Sequence, residues 1–120
     1  METKTTRGVV RSYYDAWTQG DFTRARAHLA DDLDFRGPID AFTKADDFIA
    51  ALAGFQRMLT RATLLQELYS SDEAALLYDC VTASPAGTIR TGEFFRVREG
   101  RVAEIRLVFD ATELRKLMAR

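Results

Sequence analysis

Apolar positions along the chain change their spacing near the middle, which divides it into a helical half and a strand half. Over residues 4 to 19, Val9, Val10, Tyr13, Ala16 and Trp17 recur at the interval of one helical face. Gly20 lacks the Cβ that penalises a left-handed backbone, so it suits the stop of that helix. Asp21 can cap a short second helix, which carries Phe22, Ala25 and Leu29 inward and ends near Ala30. Leu33-Asp34-Phe35-Arg36 alternates apolar and polar as a short strand does, and Gly37-Pro38 breaks it. Thr43 and Asp46 have the spacing of a capping pair. The stripe of Ala45, Phe48, Ile49, Leu52 and Phe55 that follows predicts a third helix over 44 to 57.

The second half reads differently. Residues 61 to 69, 74 to 83, 88 to 98 and 101 to 109 are apolar-rich runs of strand length. Ser70-Ser71-Asp72-Glu73, Ser84-Pro85-Ala86-Gly87 and Arg98-Glu99-Gly100-Arg101 are the turns between them, and such short links favour antiparallel neighbours. Residues 111 to 118 predict a last short helix. The order α-α-β-α-β-β-β-β-α argues an α+β fold, with helices covering one face of a curved, mostly antiparallel sheet.

Composition narrows the picture. The chain has 120 residues, which suits one domain over 1 to 120, and 47% of them are hydrophobic, enough for an ordinary core. A net charge of −1 gives no electrostatic case for nucleic acid or an anionic membrane as partner. The single cysteine, Cys80, cannot form an internal disulfide and fits a reducing compartment. No apolar run reaches membrane-span length and the polar start METKTTRGVV has no signal-peptide core, so a cytoplasmic location is expected. One Cys and one His, His28, cannot build a structural zinc site, and no phosphate-cradling glycine loop is present, so neither metal nor cofactor is expected.

Three stretches together resemble the nuclear-transport-factor-2-like superfamily, and within it the SnoaL-like group. They are YYDAWTQGDFTRARAHLADDLDFRGP, SDEAALLYDC and GEFFRVREGRVAEIRLVFD. The resemblance implies a cone-shaped α+β roll whose curved sheet and helices enclose a mostly apolar pocket. It also implies dimerisation through the outer face of the sheet. Members include ketosteroid isomerases, aldol cyclases of polyketide pathways, epoxide hydrolases, dehydratases and proteins without catalysis, so function has to be argued from the site.

By that resemblance, Tyr13 falls where the isomerases keep an oxyanion-stabilising tyrosine, and Glu93 where they keep a protonated aspartic acid. Gly37 falls where they keep the proton-shuttling aspartate, so that base is missing. Asp79 matches one aspartate of the epoxide-hydrolase group, but Leu77 and Leu107 occupy the other two positions. His28 does not match the histidine of the aldol cyclases. Period-two alternation supplies a second line of argument. With Phe35 pointing inward, Leu33 and Gly37 share its face. Leu77, Asp79 and Val81 form one face of their run, Glu93, Phe95 and Val97 another, and Ile105, Leu107 and Phe109 a third.

The expected site therefore has Asp79 as base, with Tyr13 and Glu93 as hydrogen-bond donors. Trp17, Phe35, Phe55, Leu77, Phe95, Leu107 and Phe109 are expected to line the pocket. A carboxyl group in apolar surroundings has its charged form disfavoured, so a protonated Glu93 can donate to a carbonyl oxygen. The expected activity is isomerase, cyclase or hydrolase chemistry on a small hydrophobic molecule, steroid-, polyketide- or terpenoid-like. A non-catalytic binding protein and a dimeric assembly module are the alternatives. Phe94, Val102 and Val108 are expected on the outer face, as a contact for a homodimer. Asp31 and Asp32 are expected in a turn, Asp34 and Arg36 on the outward face of the short strand, and Asp40 in a loop.

Overall fold

The computed structural model describes residues 5–118. Helix α1, Thr6–Thr18, starts at Thr5, whose hydroxyl accepts from the Gly8 N–H at 2.9 Å. The predicted start at residue 4 lies outside the described residues. Gly20 has φ of 81° and ends the turn, and the Asp21 carboxylate then caps α2, Phe22–Ala27, by accepting from the Arg24 N–H at 3.1 Å. Strand β1 runs Leu29–Arg36, β2 is the short Ala41–Phe42, and α3 is Ala45–Gln56. Strands β3 Leu59–Tyr69, β4 Glu73–Thr82, β5 Thr88–Arg98 and β6 Arg101–Val108 follow, and α4 is Thr112–Met118.

These strands form one six-stranded sheet in the order β2-β1-β6-β5-β4-β3. Every pairing is antiparallel except β1 with β6. The long strands form the meander expected from their turn signals. The fully buried side chains of Val10, Tyr13 and Ala16 on α1 meet Leu33 of β1 and Ile105 of β6, so the core lies between helices and sheet. This is the mixed α+β architecture that the pattern predicts, with a curved, unclosed sheet and the N-terminal helices on its inner face.

Four local expectations are corrected. Leu29 and Ala30 belong to β1 rather than α2, because His28 ends the helix and Val102 N–H bonds back to its carbonyl at 2.8 Å. Asp31 and Asp32 are therefore strand residues, exposed and paired with Arg26 and Arg98 at 2.7 and 2.8 Å. The Thr43–Asp46 capping pair does not form: Lys44 is the N-cap of α3 and makes no side-chain cap bond. Val102 is fully buried, not outward. Val97 pairs with Val102 while Arg96 pairs with Glu104, so Ala103 is an extra residue that turns Val102 to the inner face.

Candidate functional site

Between α1, α3 and the inner face of the sheet lies an apolar cavity of about 110 Å³. Tyr13 and Trp17 reach it from α1, Phe55 from α3, Phe35 from β1, and Leu107 and Phe109 from the end of β6 and beyond. Phe35 stacks close to Phe48, with ring centroids 4.5 Å apart, and Phe42 stands 5.9 Å from Phe35. This cluster fills the β1–β2 side of the cavity with aromatic carbon.

Few polar groups break this apolar lining. Glu93 is 2% exposed and lines the cavity. Its carboxyl accepts the Tyr78 hydroxyl at Oε1, 2.8 Å away. Burial raises the Glu93 pKa from 4.5 to about 7, and the Tyr78 hydrogen bond opposes only part of that rise. Because Tyr78 donates to Oε1, the other oxygen is left to carry the proton. Tyr13 is fully buried and its hydroxyl has no hydrogen-bond partner among the described residues. Burial, then the nearby Glu93 charge, push its pKa well above the usual tyrosine value. The Trp17 indole N–H is likewise buried without a partner. An unpaired buried donor costs about 1–3 kcal/mol, and both residues that carry these donors line the cavity.

Asp79 is not there. It sits on the outer face of the sheet, where its two carboxylate oxygens accept from Arg90 at 2.8 and 2.9 Å. That bidentate contact lowers its pKa. Leu77 is on the same outer face and does not line the cavity. The reason is pairing parity. Asp79 pairs with Arg90 and Leu76 with Glu93, so odd-numbered residues of β4 share a face with even-numbered residues of β5. Asp79 and Glu93, both odd, must point to opposite faces. Alternation alone could not choose, because β4 is apolar on both sides: Leu76, Tyr78 and Cys80 on one, Leu77 and Val81 on the other. Phe95 is inward and buried, but stands behind Tyr13, edge-on with ring centroids 6.0 Å apart, rather than on the cavity wall.

Sequence reasoning missed Tyr78, which the register of the β4–β5 hairpin would have placed beside Glu93. It also missed Asp40, which lines the cavity from the turn between β1 and β2. Gly37 does face the cavity side: a Cβ there would lie 3.2 Å from the Phe35 ring and 3.6 Å from the Leu107 Cβ. Cys80 lines the wall, and burial pushes its thiol up to about 12, which makes it an inert lining group. No group of three or more metal-ligating side chains occurs among the described residues.

The family model of the SnoaL-like domain matches residues 10–105. The chain belongs to the SnoaL-like domain family. No curated protein sequence matches it. A solved protein from Kribbella flavida DSM 17836 superposes with a TM-score of 0.89 at 27% identity, covering 98% of this chain and 96% of that one. A second protein from that organism, provisionally described as a ketosteroid isomerase, gives a TM-score of 0.75 at 19% identity over 88% and 77% of the two chains. A protein of Sinorhizobium meliloti provisionally described as a polyketide cyclase gives 0.75 at 16% identity over 83% and 93%. At those identities the isomerase and cyclase likenesses establish the fold of this SnoaL-like domain and leave its chemistry to its own residues. No helix among the described residues is long and apolar enough to cross a membrane.

Proposed function

We propose that this SnoaL-like domain binds a small apolar carbonyl compound and polarises its carbonyl group, promoting enolisation. The observation that carries the reading is the pair of donors on one apolar cavity: the unpartnered Tyr13 hydroxyl and the protonatable Glu93 carboxyl. A carbonyl oxygen accepting from both gains about 1 kcal/mol per hydrogen bond in the ground state. It gains far more as negative charge builds up on it, because the donors are fixed in a largely apolar wall. Tyr78 positions Glu93 by holding one carboxyl oxygen.

Cavity size selects the ligand. Pockets for drug-sized molecules have about 300–1,000 Å³, whereas a cavity of about 150 Å³ holds benzene. At about 110 Å³ the space suits a compound of one ring rather than a steroid or a fused polyketide. The test uses the only tryptophan of the sequence, Trp17, which lines the cavity and reports occupancy by fluorescence. Titration with 2-cyclohexenone should quench it, and Tyr13→Phe should weaken binding about tenfold through loss of one hydrogen bond. Affinity unchanged in Tyr13→Phe would sink the reading. Because the donor form of Glu93 is the protonated one, affinity should fall as pH rises through about 7.

A non-catalytic binder is the second reading, favoured by Gly37, which offers no side chain where the resemblance to ketosteroid isomerases implies a base. Incubation with a β,γ-unsaturated ketone separates the two, since a binder returns it unchanged. We also infer a homodimer formed through the outer sheet face, supported by Leu68, Phe94 and Val108, which are 61%, 51% and 59% exposed. A monomer mass in light scattering at micromolar concentration would refute it. Work in a reducing cytoplasm suits the lone Cys80.

A further inference from the structure

We propose that Asp40 is the base of this site, reaching the cavity from across the hairpin that Gly37 opens. The step rests on the carbonyl reading above and supplies the half of the reaction that Tyr13 and Glu93 do not. Three observations carry it.

The first is register. The Gly37 N–H donates to the Asp40 carbonyl at 2.9 Å, closing the chain around Pro38 and Ile39. Arg36 pairs with Ala41 and Phe35 with Phe42 just beyond. Gly37 and Asp40 are thus directly opposite, and side chains of such a pair project from the same face, with Cβ atoms about 5 Å apart. The Gly37 face is the cavity face, and Asp40 lines the cavity.

The second is space. A Cβ on Gly37 would lie 3.2 Å from the Phe35 ring, so an acid there would need that ring to give way by a few tenths of an ångström. The opposite strand offers a carboxylate that needs no such shift.

The third is that Asp40 is uncommitted. Asp31, Asp32 and Asp34, nine to six residues earlier, are each ion-paired to an arginine. The Asp40 carboxylate makes no hydrogen bond or ion pair among the described residues. Arg36 is spent on Asp34, and Arg115 donates to the Pro38 carbonyl at 2.7 Å. Although Asp40 is exposed on one side, partial loss of hydration against the cavity raises its pKa, which makes its carboxylate a somewhat better base than a fully solvated one. Asp40 and Glu93 are the only carboxylates that line the cavity among the described residues. One is at the exposed turn and the other is buried, so they divide naturally into base and acid.

In the step, Asp40 takes the proton from the carbon between the carbonyl and the double bond of a β,γ-unsaturated ketone. The C–H electron pair becomes a new C=C bond, and the carbonyl π pair moves to the oxygen held by Tyr13 and Glu93. Protonated Asp40 then returns the proton at the γ-carbon, the double bond moves into conjugation, and the carboxylate is regenerated. Nothing is consumed.

The experiment follows conversion of 3-cyclohexenone to 2-cyclohexenone by ultraviolet absorbance, beside Trp17 fluorescence on binding of 2-cyclohexenone. Asp40→Asn is isosteric and lies on an exposed turn. It should lower the isomerisation rate by about 100-fold or more, the usual contribution of a positioned base, and leave the binding within twofold of the unaltered protein. Asp40→Glu should restore part of the rate. An Asp40→Asn protein as fast as the unaltered one overturns the proposal, and so does an unaltered protein that binds 2-cyclohexenone but does not isomerise the substrate. If 2-cyclohexenone does not bind at all, the carbonyl reading falls and takes this base with it.

Discussion

Glu93 and Asp79 lie on adjacent strands of one sheet, yet their surroundings drive them in opposite directions. Glu93 faces inward, has only the Tyr78 hydroxyl for a partner, and is held near neutral pH by burial. Asp79 faces outward, clasped by Arg90 on two oxygens, and is held fully ionised. At the cavity wall Glu93 meets the neutral Tyr78 hydroxyl, and the Tyr13 hydroxyl has no partner among the described residues. On the outer face, acids are matched by arginine: Arg106 with Asp34 and Glu104, Arg96 with Glu73. A carboxyl group matched by a guanidinium holds structure at the surface. One left without a cation in an apolar wall retains the proton that acid–base chemistry needs.

That contrast can be broken most sharply by substitution. Tyr13→Phe should reduce isomerisation of 3-cyclohexenone by roughly 100-fold or more, the usual cost of losing one oxyanion donor, whereas Asp79→Asn should leave the rate unchanged. Equal losses in the two variants would erase the distinction between the faces.

Next in size is a pH effect on stability. Glu93 has a folded pKa of about 7 against 4.5 for an ordinary glutamate, so between these values the folded chain holds a proton that the unfolded chain has released. Its contribution is fully present below pH 4.5 and is lost as pH rises through 7, a fall of about 3 kcal/mol. Urea unfolding at a series of pH values should show that fall, and Glu93→Gln should flatten it.

Smaller again is the gain from deleting unpaired hydroxyls. Tyr13→Phe and Tyr14→Phe each remove a buried hydroxyl that has no partner among the described residues, and each should raise stability by about 1 kcal/mol. Only Tyr13→Phe should also lose activity, because Tyr14 does not line the cavity. The smallest change is expected for Asp79→Asn, whose partner Arg90 is largely solvated: the midpoint of thermal unfolding should hardly move.

Much of this molecule was legible along the chain. The switch from helical to alternating spacing marked α1, α3 and the four long strands, because period is a property of local backbone geometry. Tyr13, Trp17, Phe35 and Phe55 could be assigned to the interior because each lies on a clear apolar stripe or alternation. Asp79 could not be assigned correctly, because β4 is apolar on both faces and nothing within the strand says which one turns inward. Only the tertiary structure decided that, through the register with β5, since a slip of one residue exchanges every side chain between the faces. The same holds for Asp40, whose place at the cavity comes from a partner across a hairpin rather than from its neighbours in sequence. Sequence by itself determined the helices, the long strands and their order, and the family resemblance, but not the short β2. The pairing of strands, a long-range choice, decided which acids meet the cavity.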